Sequence, residues 1–247
     1  MYNAVSGQSA IFKQMQVIAN NLANMATHGY KAEKVMFEKS LNEAAQRSLN
    51  LPREGGNSNP LNSLEFASVR GAYTDLSQGA MQVTGNPLDV AIQGEGFFVV
   101  MTEQGERYTR SGAFTLDSAG RLVTPTGDPV QGDGGDIVIS GGGAVQIEQD
   151  GEVRVNGESR GRLRVTFLSD QNLIRESSLQ FRAREGSTPI DQPEAKILSG
   201  TLEGSNVNAV RELTDMLQAA RLYEALQKTQ ESNSRMSRGR NEVFGRS

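Results

Sequence analysis

The chain has 247 residues, which is enough for one large domain or two smaller ones with a buried core. Its 25 Lys and Arg residues against 29 Asp and Glu residues leave a net charge of −4, so no global positive field attracts nucleic acid and no nucleic-acid partner is expected. The absence of Cys excludes thiolate catalysis, disulfides and Cys-ligated zinc. Because the chain also has only one His, no metal or cofactor is expected.

The amino-terminal segment lacks the pattern of a cleaved signal. Lys13 is the only full charge before Tyr30, and Gln and Asn interrupt the apolar stretches. A cleaved signal needs a basic start and an unbroken apolar run of roughly 7–15 residues, and a membrane-spanning helix needs about 20. We therefore expect neither a cleaved signal peptide nor membrane insertion. Residence in the cytoplasm and export by a route without cleavage both stay open.

Apolar residues near the amino terminus recur every three or four positions, which predicts an amphipathic helix. The apolar stripe of this helix comprises Ile11, Met15, Ile18, Leu22 and Met25. Asn20 and Asn24 fall on the opposite side, so the outward face is rich in amides and almost uncharged. Gly29 is expected to end the helix in a left-handed conformation, with His28 as an exposed polar neighbour.

A second long helix is predicted at the carboxyl-terminal end, where Ser205, Asn206 or Asn208 can cap it. Its broad apolar stripe comprises Val210, Leu213, Met216, Leu217, Ala220 and Tyr223. Leu222 and Leu226 lie on another side, so a single partner helix would leave apolar surface in water. A helix between two layers of one globular domain is the commoner arrangement. The position of the two helices at opposite ends of the chain, with no comparable pattern between them, argues against it.

The middle of the chain is predicted to be β-structure. Residues 41–80 form an irregular linker in this prediction, because Gly, Asn and Pro are concentrated in its first part. Residues 81–200 contain short apolar segments separated by Gly, Asp and Asn, which is typical of an all-β domain. The predicted strands are residues 88–93, 97–101, 107–109, 114–116, 137–139, 145–147, 153–155, 163–168 and 179–182.

No motif in the middle segment indicates catalysis. Residues 94–96 have the glycine spacing that begins a dinucleotide fingerprint, but a strand-like Phe-Phe-Val-Val run follows where a helix is required. Residues 133–136 lack the ligand spacing of a calcium loop and predict a Gly-rich hairpin turn instead. His28 has no accompanying nucleophile motif. A pair of carboxylates far apart in the sequence stays open, but we predict no catalytic residues and no enzyme.

These elements predict an α+β fold in which the N- and C-terminal helices pack together as a coiled-coil-like core, with a central all-β domain. The expected segments are an N-terminal helix in 1–40, the linker in 41–80, the β domain in 81–200, and a C-terminal helix with a basic tail in 201–247. Isolated helices need packing partners, so we expect contacts with the other terminus and with neighbouring copies. The predicted assembly interface comprises Ile11, Met15, Ile18, Asn20, Asn21, Leu22, Asn24, Met25, Val210, Leu213, Leu217, Ala220 and Tyr223.

Three blocks of sequence resemble the bacterial flagellar rod and hook proteins. The first is Ile-Ala-Asn-Asn-Leu-Ala-Asn at 18–24, followed by Thr-His-Gly-Tyr-Lys at 27–31. The second is Gly-Asn-Pro-Leu-Asp-Val-Ala-Ile at 85–92, with Gly-Glu-Gly-Phe-Phe at 94–98 and Tyr-Thr-Arg-Ser-Gly-Ala-Phe at 108–114. The third is Leu-Glu-Gly-Ser-Asn-Val-Asn at 202–208, followed by Arg-Leu-Tyr-Glu-Ala-Leu-Gln-Lys at 221–228. The resemblance extends through nearly the whole chain in the family's order.

The resemblance implies a structural role. It implies export through the flagellar type III apparatus and helical stacking in the periplasmic rod of the basal body, where the terminal helices line the export channel. The implied partners are other copies, other axial rod proteins and the export apparatus. A proximal-rod position fits best, with a distal-rod or hook position as the alternative. Ala26 and Ala220 stand where the family usually has Asn and Gln. A secreted β-rich binding protein or enzyme, and a regulatory coiled-coil protein, are the alternatives from other classes.

Overall fold

A computed structural model describes residues 2–40, 66–139, 143–192 and 194–244. The fold is α+β, with a helix at each end and a mostly β region between them. The helices are α1 (Tyr2–Ala23), a short 3-10 helix (Asp170–Asn172) and α2 (Ala209–Phe244). In these described stretches, neither α1 nor α2 combines the length and apolar character needed to cross a membrane.

The strands are short and follow one another closely along the chain. The first ten are β1 (Glu33–Ser40), β2 (Phe66–Thr74), β3 (Met81–Val83), β4 (Val90–Gln93), β5 (Phe97–Thr102), β6 (Gly105–Thr109), β7 (Thr115–Leu116), β8 (Leu122–Val123), β9 (Gln131–Gly132) and β10 (Gly135–Asp136). The others are β11 (Val145–Ile147), β12 (Glu152–Val155), β13 (Glu158–Arg162), β14 (Val165–Phe167), β15 (Leu173–Arg175), β16 (Gln180–Ala183), β17 (Ile190–Asp191), β18 (Lys196–Ser199) and β19 (Thr201–Glu203).

The chain divides into two compact units. Of the described residues, the helical unit contains 2–22, 33–40, 66–73 and 209–244, and therefore nearly all of both long helices and of the β1–β2 pair. The β unit contains residues 23–32, 74–139, 143–192 and 194–208. The short segment that follows α1 thus belongs to the β unit, although it lies far in sequence from the strands around it.

The largest sheet of the β unit has six strands in the order β15-β16-β6-β5-β14-β17. All its pairings are antiparallel, and the central hairpin of β5 and β6 aligns Val99 with Tyr108. The described residues also form a three-stranded sheet, β11-β12-β13, and the pairs β3–β19, β4–β18, β7–β8 and β9–β10. The β9–β10 hairpin reverses at residues 133 and 134, which confirms the turn predicted there.

Strand β5 contributes to two apolar clusters because successive side chains of a strand point to opposite faces. Phe98 and Val100 lie in the larger cluster, and Phe97 and Val99 lie in the smaller one. Burial on both faces explains the uninterrupted apolar sequence of this strand. The other members of the larger cluster include Val90, Ile92, Phe114, Leu122, Val130, Ile137, Ile147, Val153, Val155, Leu163, Val165 and Ile197. The smaller cluster also contains Tyr108, Leu168 and Phe181.

The structure differs from the sequence predictions at the ends of the helical and linker segments. Helix α1 ends at Ala23, so Asn24 and Met25 lie beyond it. Residues 33–40 and 66–74, which the prediction placed in the helical and linker segments, form β1 and β2. Both runs place valine and aromatic residues among polar ones, a composition that a pleated, half-covered surface accommodates.

Three further segments also differ from the prediction or lie outside the described residues. Residues 41–65, the remainder of the predicted linker before β2, lie outside the described residues. Residues 137–139 were predicted as a strand, but the bridge between Arg121 and Val138 is an isolated one. Helix α2 continues to Phe244, through most of the segment predicted as a basic tail.

Candidate assembly site

Helix α1 buries a face that is rotated from the predicted apolar stripe. Among residues 8–23, its buried side chains are Ala10, Ile11, Val17, Ile18 and Asn21. Met15 and Leu22, which the spacing placed in the stripe, are half-buried at the edge of this face. Phe12 is exposed, and so is Met25 beyond the end of the helix. The apolar period identified the helix correctly, but it did not distinguish the covered side chains from those that keep surface in water.

Asn21 connects α1 to the first residue of β1. Its Nδ2 donates to the Glu33 carbonyl over 2.8 Å, and its Oδ1 accepts the Glu33 N–H over 2.9 Å. Its side chain also hydrogen-bonds Glu212 near the start of α2. Burial raises the pKa of Glu212, and the hydrogen bond with Asn21 opposes that rise. The Asn21 amide therefore serves the helical unit itself, whereas Asn20 is exposed and Asn24 is half-buried.

Three large aliphatic side chains form an exposed apolar stripe on α2, which we call the α2 stripe. Val210, Leu213 and Leu217 are 76%, 53% and 62% exposed. Their spacing of three and four residues places them on one side of the helix. Ala220 and Tyr223 are half-buried. Because most of the α2 stripe is uncovered in the single chain, α1 does not bury it there.

A second arrangement lies within the β unit and holds residues 29–32. We call it the clasp; its residues are Gly29, Tyr30, Lys31, Ala32, Asp75, Ser77, Gly79, Arg110, Arg175, Glu203 and Asn206. Residues 29–32 are all buried. The Gly29 N–H donates to the Glu203 carbonyl over 2.7 Å, and the Asp75 N–H donates to the Ala32 carbonyl over 2.8 Å. Both ends of this short segment are therefore bonded to distant parts of the chain.

Glu203 is the central acceptor of the clasp and is 1% exposed. Its Oε1 accepts hydrogen bonds from Lys31 Nζ at 2.6 Å and from the Gly79 N–H at 2.9 Å. Its Oε2 lies 3.5 Å from Arg110 Nη1, at ion-pair distance. Burial lowers the pKa of both Lys31 and Arg110, and the Glu203 carboxylate opposes each shift. Two buried cations thus share one buried carboxylate.

Arg110 is also held by contacts that do not involve residues 29–32. Its Nη1 donates to the Ile92 carbonyl at 3.4 Å, and its Nη2 donates to the Gly94 carbonyl. Its guanidinium lies over the Phe97 ring, 5.5 Å from the ring centroid. The strands of the β unit therefore fix one cation of the clasp by themselves.

Asn206 joins the two places where the chain enters and leaves the β unit. Its Oδ1 accepts the Ala32 N–H over 2.7 Å, while its Nδ2 donates to the Asp75 carbonyl at 2.8 Å and to the Ser77 carbonyl at 3.1 Å. Lys31 Nζ donates to the same Ser77 carbonyl over 2.8 Å. Asn206, considered above as a helix cap, is thus a clasp residue.

Arg175 fixes the same segment from another side. Its guanidinium lies 5.1 Å from the Tyr30 ring centroid and 4.9 Å from that of Phe181, between the two aromatic side chains. It also donates to the Lys31 carbonyl. Arg is better suited than Lys to this position, because its planar guanidinium can contact two rings while it forms hydrogen bonds.

Two glycines allow the clasp to form. A Cβ at Gly29 would lie 2.3 Å from the Ser111 nitrogen, and one at Gly79 would lie 2.0 Å from the Gly204 carbonyl oxygen. Gly29 has the left-handed φ of +74° that the sequence predicted, but it does not end α1. It allows two backbones to meet. His28 beside it is half-buried, with its Nδ1 buried, and is not the exposed residue predicted there.

The charged residues of the clasp hold chain segments together. They form ion pairs with one another and hydrogen bonds with main-chain groups inside the β unit. Among the described residues, no group of three or more His, Asp or Glu side chains is arranged to hold a metal ion.

Sequence reasoning missed the clasp residues as functional positions. Lys31 and Glu203 were noted within the family-like blocks, but periodicity reports only on local structure. The available signal was a single charged residue between apolar and small neighbours, as in Leu202-Glu203-Gly204. A charge in a segment that is otherwise fit for burial needs a buried partner.

Three family profiles match the chain in the order of its elements. The profile described as a flagella basal body rod protein matches residues 1–31. The profile described as the flagellar hook protein FlgE/F/G D1 domain matches residues 91–155, and that of the flagellar basal body rod FlgEFG protein C-terminal matches residues 198–238. These matches define the class as axial structural proteins of the bacterial flagellum.

Relatives matched along most of their length narrow the class. The flagellar basal-body rod protein FlgF of Caulobacter vibrioides is 34% identical, with 100% of this chain and 98% of that protein covered. FlgF of Escherichia coli is 34% identical over 91% of this chain and 89% of its own. FlgG of Caulobacter vibrioides is 32% identical, with 90% of each chain covered. The chain belongs to the family of flagellar basal-body rod proteins, whose members are structural proteins and not enzymes.

Proposed function

We propose that this chain, a structural subunit of the flagellar basal-body rod, polymerises helically in the proximal rod and forms part of the shaft that transmits torque around the export channel. Family membership supports a place in the basal body beside other rod components. In this proposal the flagellar export apparatus delivers the chain without cleavage of a signal peptide. The observation that carries the proposal is the exposed α2 stripe.

The α2 stripe provides the energy for contacts between subunits. Val210, Leu213 and Leu217 each keep more than half of their surface in water in the single chain. Full burial of a large aliphatic side chain contributes roughly 1.5–3 kcal/mol. In a helical polymer the same contact recurs at every subunit.

The second part of the proposed interface comes from α1 and the residues that follow it. Met15 and Leu22 are half-buried at the edge of the buried face of α1, and Met25 is exposed. We place these side chains against the α2 stripes of neighbouring copies, in a coiled-coil-like core shared between subunits. The exposed Asn20 and half-buried Asn24 provide amide contacts there without burial of a charge.

A distal-rod position is the second candidate. Identity to FlgG of Caulobacter vibrioides, at 32%, is close to the 34% found with FlgF of the same organism. A complementation test separates the two positions. The chain is expected to restore rods in a strain that lacks its own proximal-rod protein and to fail in a strain that lacks the distal-rod protein. The reverse pattern would establish the distal position.

The interface itself is tested by photo-crosslinking in purified basal bodies. A photoreactive amino acid at Leu217 is expected to form adducts with copies of this chain or with other rod proteins, identified by mass spectrometry. The matched control is the same amino acid at Gln218, which is exposed but lies outside the α2 stripe. Equal yields at both positions, or adducts with proteins outside the rod only, would contradict the proposed interface.

A further inference from the structure

We propose that the clasp is a lock that closes only when Glu203 reaches Arg110, so that residues 29–32 become fixed in the β unit only once residues 203–206 are in place. Glu203 then holds in place the two segments at which the chain enters and leaves the β unit. The inference concerns how a single chain closes the clasp and does not depend on the position of the protein in the rod.

The segment 29–32 depends on remote residues for its conformation. Lys31 Nζ bonds to Ser77 and Glu203, which lie 46 and 172 positions away in the chain. The Ala32 N–H bonds to Asn206, which is 174 positions away. Closure of such long loops is unfavourable until the strands between their ends have folded. The segment is therefore held only after most of the β unit exists.

The order of closure follows from the charges. Arg110 is already fixed by the Ile92 and Gly94 carbonyls and by Phe97. Without Glu203, insertion of Lys31 would bury a second cation beside Arg110, with only the weaker attraction of Asp75 for Lys31 and of Glu95 for Arg110. A buried charge that is so poorly compensated is strongly unfavourable. The Glu203 carboxylate must therefore be in place before Lys31 is buried, or arrive with it.

Glu203 couples the two segments because its atoms bond to both. Its carbonyl accepts the Gly29 N–H and its Oε1 accepts Lys31, while the same Oε1 accepts the Gly79 N–H. The strand that contains it, β19, pairs with β3, and the Gly204 N–H that follows donates to the Ala80 carbonyl. One residue thus links the entry and the exit of the β unit. The segment that follows α1 is therefore fixed only when the β unit is nearly complete.

Hydrogen exchange on the full chain tests the lock. The reporters are the Gly29 and Ala32 amides in the clasp and the Val99 and Val100 amides in β5. Glu203→Gln is expected to speed exchange at the clasp reporters about 10- to 100-fold, as expected for the loss of a charged hydrogen-bond partner, and to leave β5 unchanged. Addition of Lys31→Met to Glu203→Gln is expected to restore part of the protection, because it removes one poorly compensated cation.

A second variant and a control keep the test decisive. Lys31→Met alone retains the pair of Arg110 and Glu203, so the Gly204 amide is expected to stay protected while Gly29 and Ala32 exchange faster. The control is Glu158→Gln, which removes an exposed partner of Arg160 and is expected to change none of these amides. The lock is overturned if Glu203→Gln leaves the clasp reporters protected, if β5 opens to the same extent, or if Lys31→Met worsens the Glu203→Gln variant.

Discussion

Lys31 Nζ lies 2.6 Å from Glu203 Oε1, although 172 positions separate the two residues in the chain. Both belong to blocks that resemble the flagellar family, at 27–31 and 202–208, and Arg110 from the block at 108–114 completes the group. Three separate blocks of the sequence therefore meet at one buried place in the β unit. The result is a β unit whose chain enters and leaves at adjacent points.

The close approach at Gly29 predicts a steric cost beyond backbone strain. Gly29→Ala is expected to lower the free energy of unfolding by more than about 3 kcal/mol, because the new Cβ would lie 2.3 Å from the Ser111 nitrogen. The matched control is Gly85→Ala, since Gly85 has nearly the same φ of +76° with open space around it. It is expected to cost only about 1 kcal/mol. Urea unfolding measures both, and equal losses would show that the contact with Ser111 does not matter.

Lysine is not expected to replace Arg175, whose planar guanidinium lies between Tyr30 and Phe181. Arg175→Lys is expected to lower the free energy of unfolding by about 1 to 2 kcal/mol, because both ring contacts and the bond to the Lys31 carbonyl depend on the guanidinium. Arg160→Lys, at an exposed ion pair, should cost less than about 0.5 kcal/mol. A similar stability for the two variants in urea would rule out the sandwich as a source of stability.

Tyr108 predicts a loss of stability at alkaline pH. Burial, with the nearby Glu106 carboxylate as a smaller cause, raises its pKa from 10.0 to about 12. Between these values the unfolded chain loses the phenol proton while the folded chain keeps it, so stability falls as the pH rises. From pH 9 to pH 12 the stability of the wild type relative to Tyr108→Phe should fall by about 2 to 3 kcal/mol. The control is the same comparison between pH 7 and pH 8, where neither state loses the phenol proton and the difference should stay constant.

Substitution of the neighbouring residues Asn21 and Asn20 is expected to lower the stability of the helical unit by very different amounts. Asn21→Ala leaves the N–H and carbonyl of Glu33 without their partner and should destabilise the helical unit by about 2 to 4 kcal/mol. Asn20→Ala, at an exposed position, should cost less than about 0.5 kcal/mol. The loss of helical circular dichroism on heating compares the two. If both variants melt together with the wild type, Asn21 does not organise this unit.

Local sequence patterns predicted the helix α1 and the buried strand β5. The run from Phe97 to Val100 indicated a buried strand, and β5 lies there with both faces covered. The apolar spacing in the first 25 residues indicated α1, although it favoured Met15 and Leu22 over Val17 as buried residues. Periodicity cannot decide which apolar residues are covered, because that depends on partners from elsewhere in the chain.

The clasp illustrates the same limit for polar residues. Asn206 looked like a helix cap, which is the usual local role of an Asn before a helix, but Ala32 and Asp75 take up its hydrogen bonds. The need for glycine at position 29 was visible from the sequence, while its reason, contact with the Ser111 backbone, was not. Contacts across more than a hundred residues leave no periodic trace in the sequence.

Assembly of this rod subunit through the α2 stripe can be tested in a strain that lacks the gene. Basal bodies are purified after complementation with the wild type, Leu217→Asp or Gln218→Asp, and are examined by electron microscopy. We expect complete rods with the wild type and with Gln218→Asp. With Leu217→Asp we expect truncated rods without hooks, although that protein is made. Complete hook–basal bodies with Leu217→Asp, or in the strain without any copy of the gene, would show that the α2 stripe is not needed for assembly.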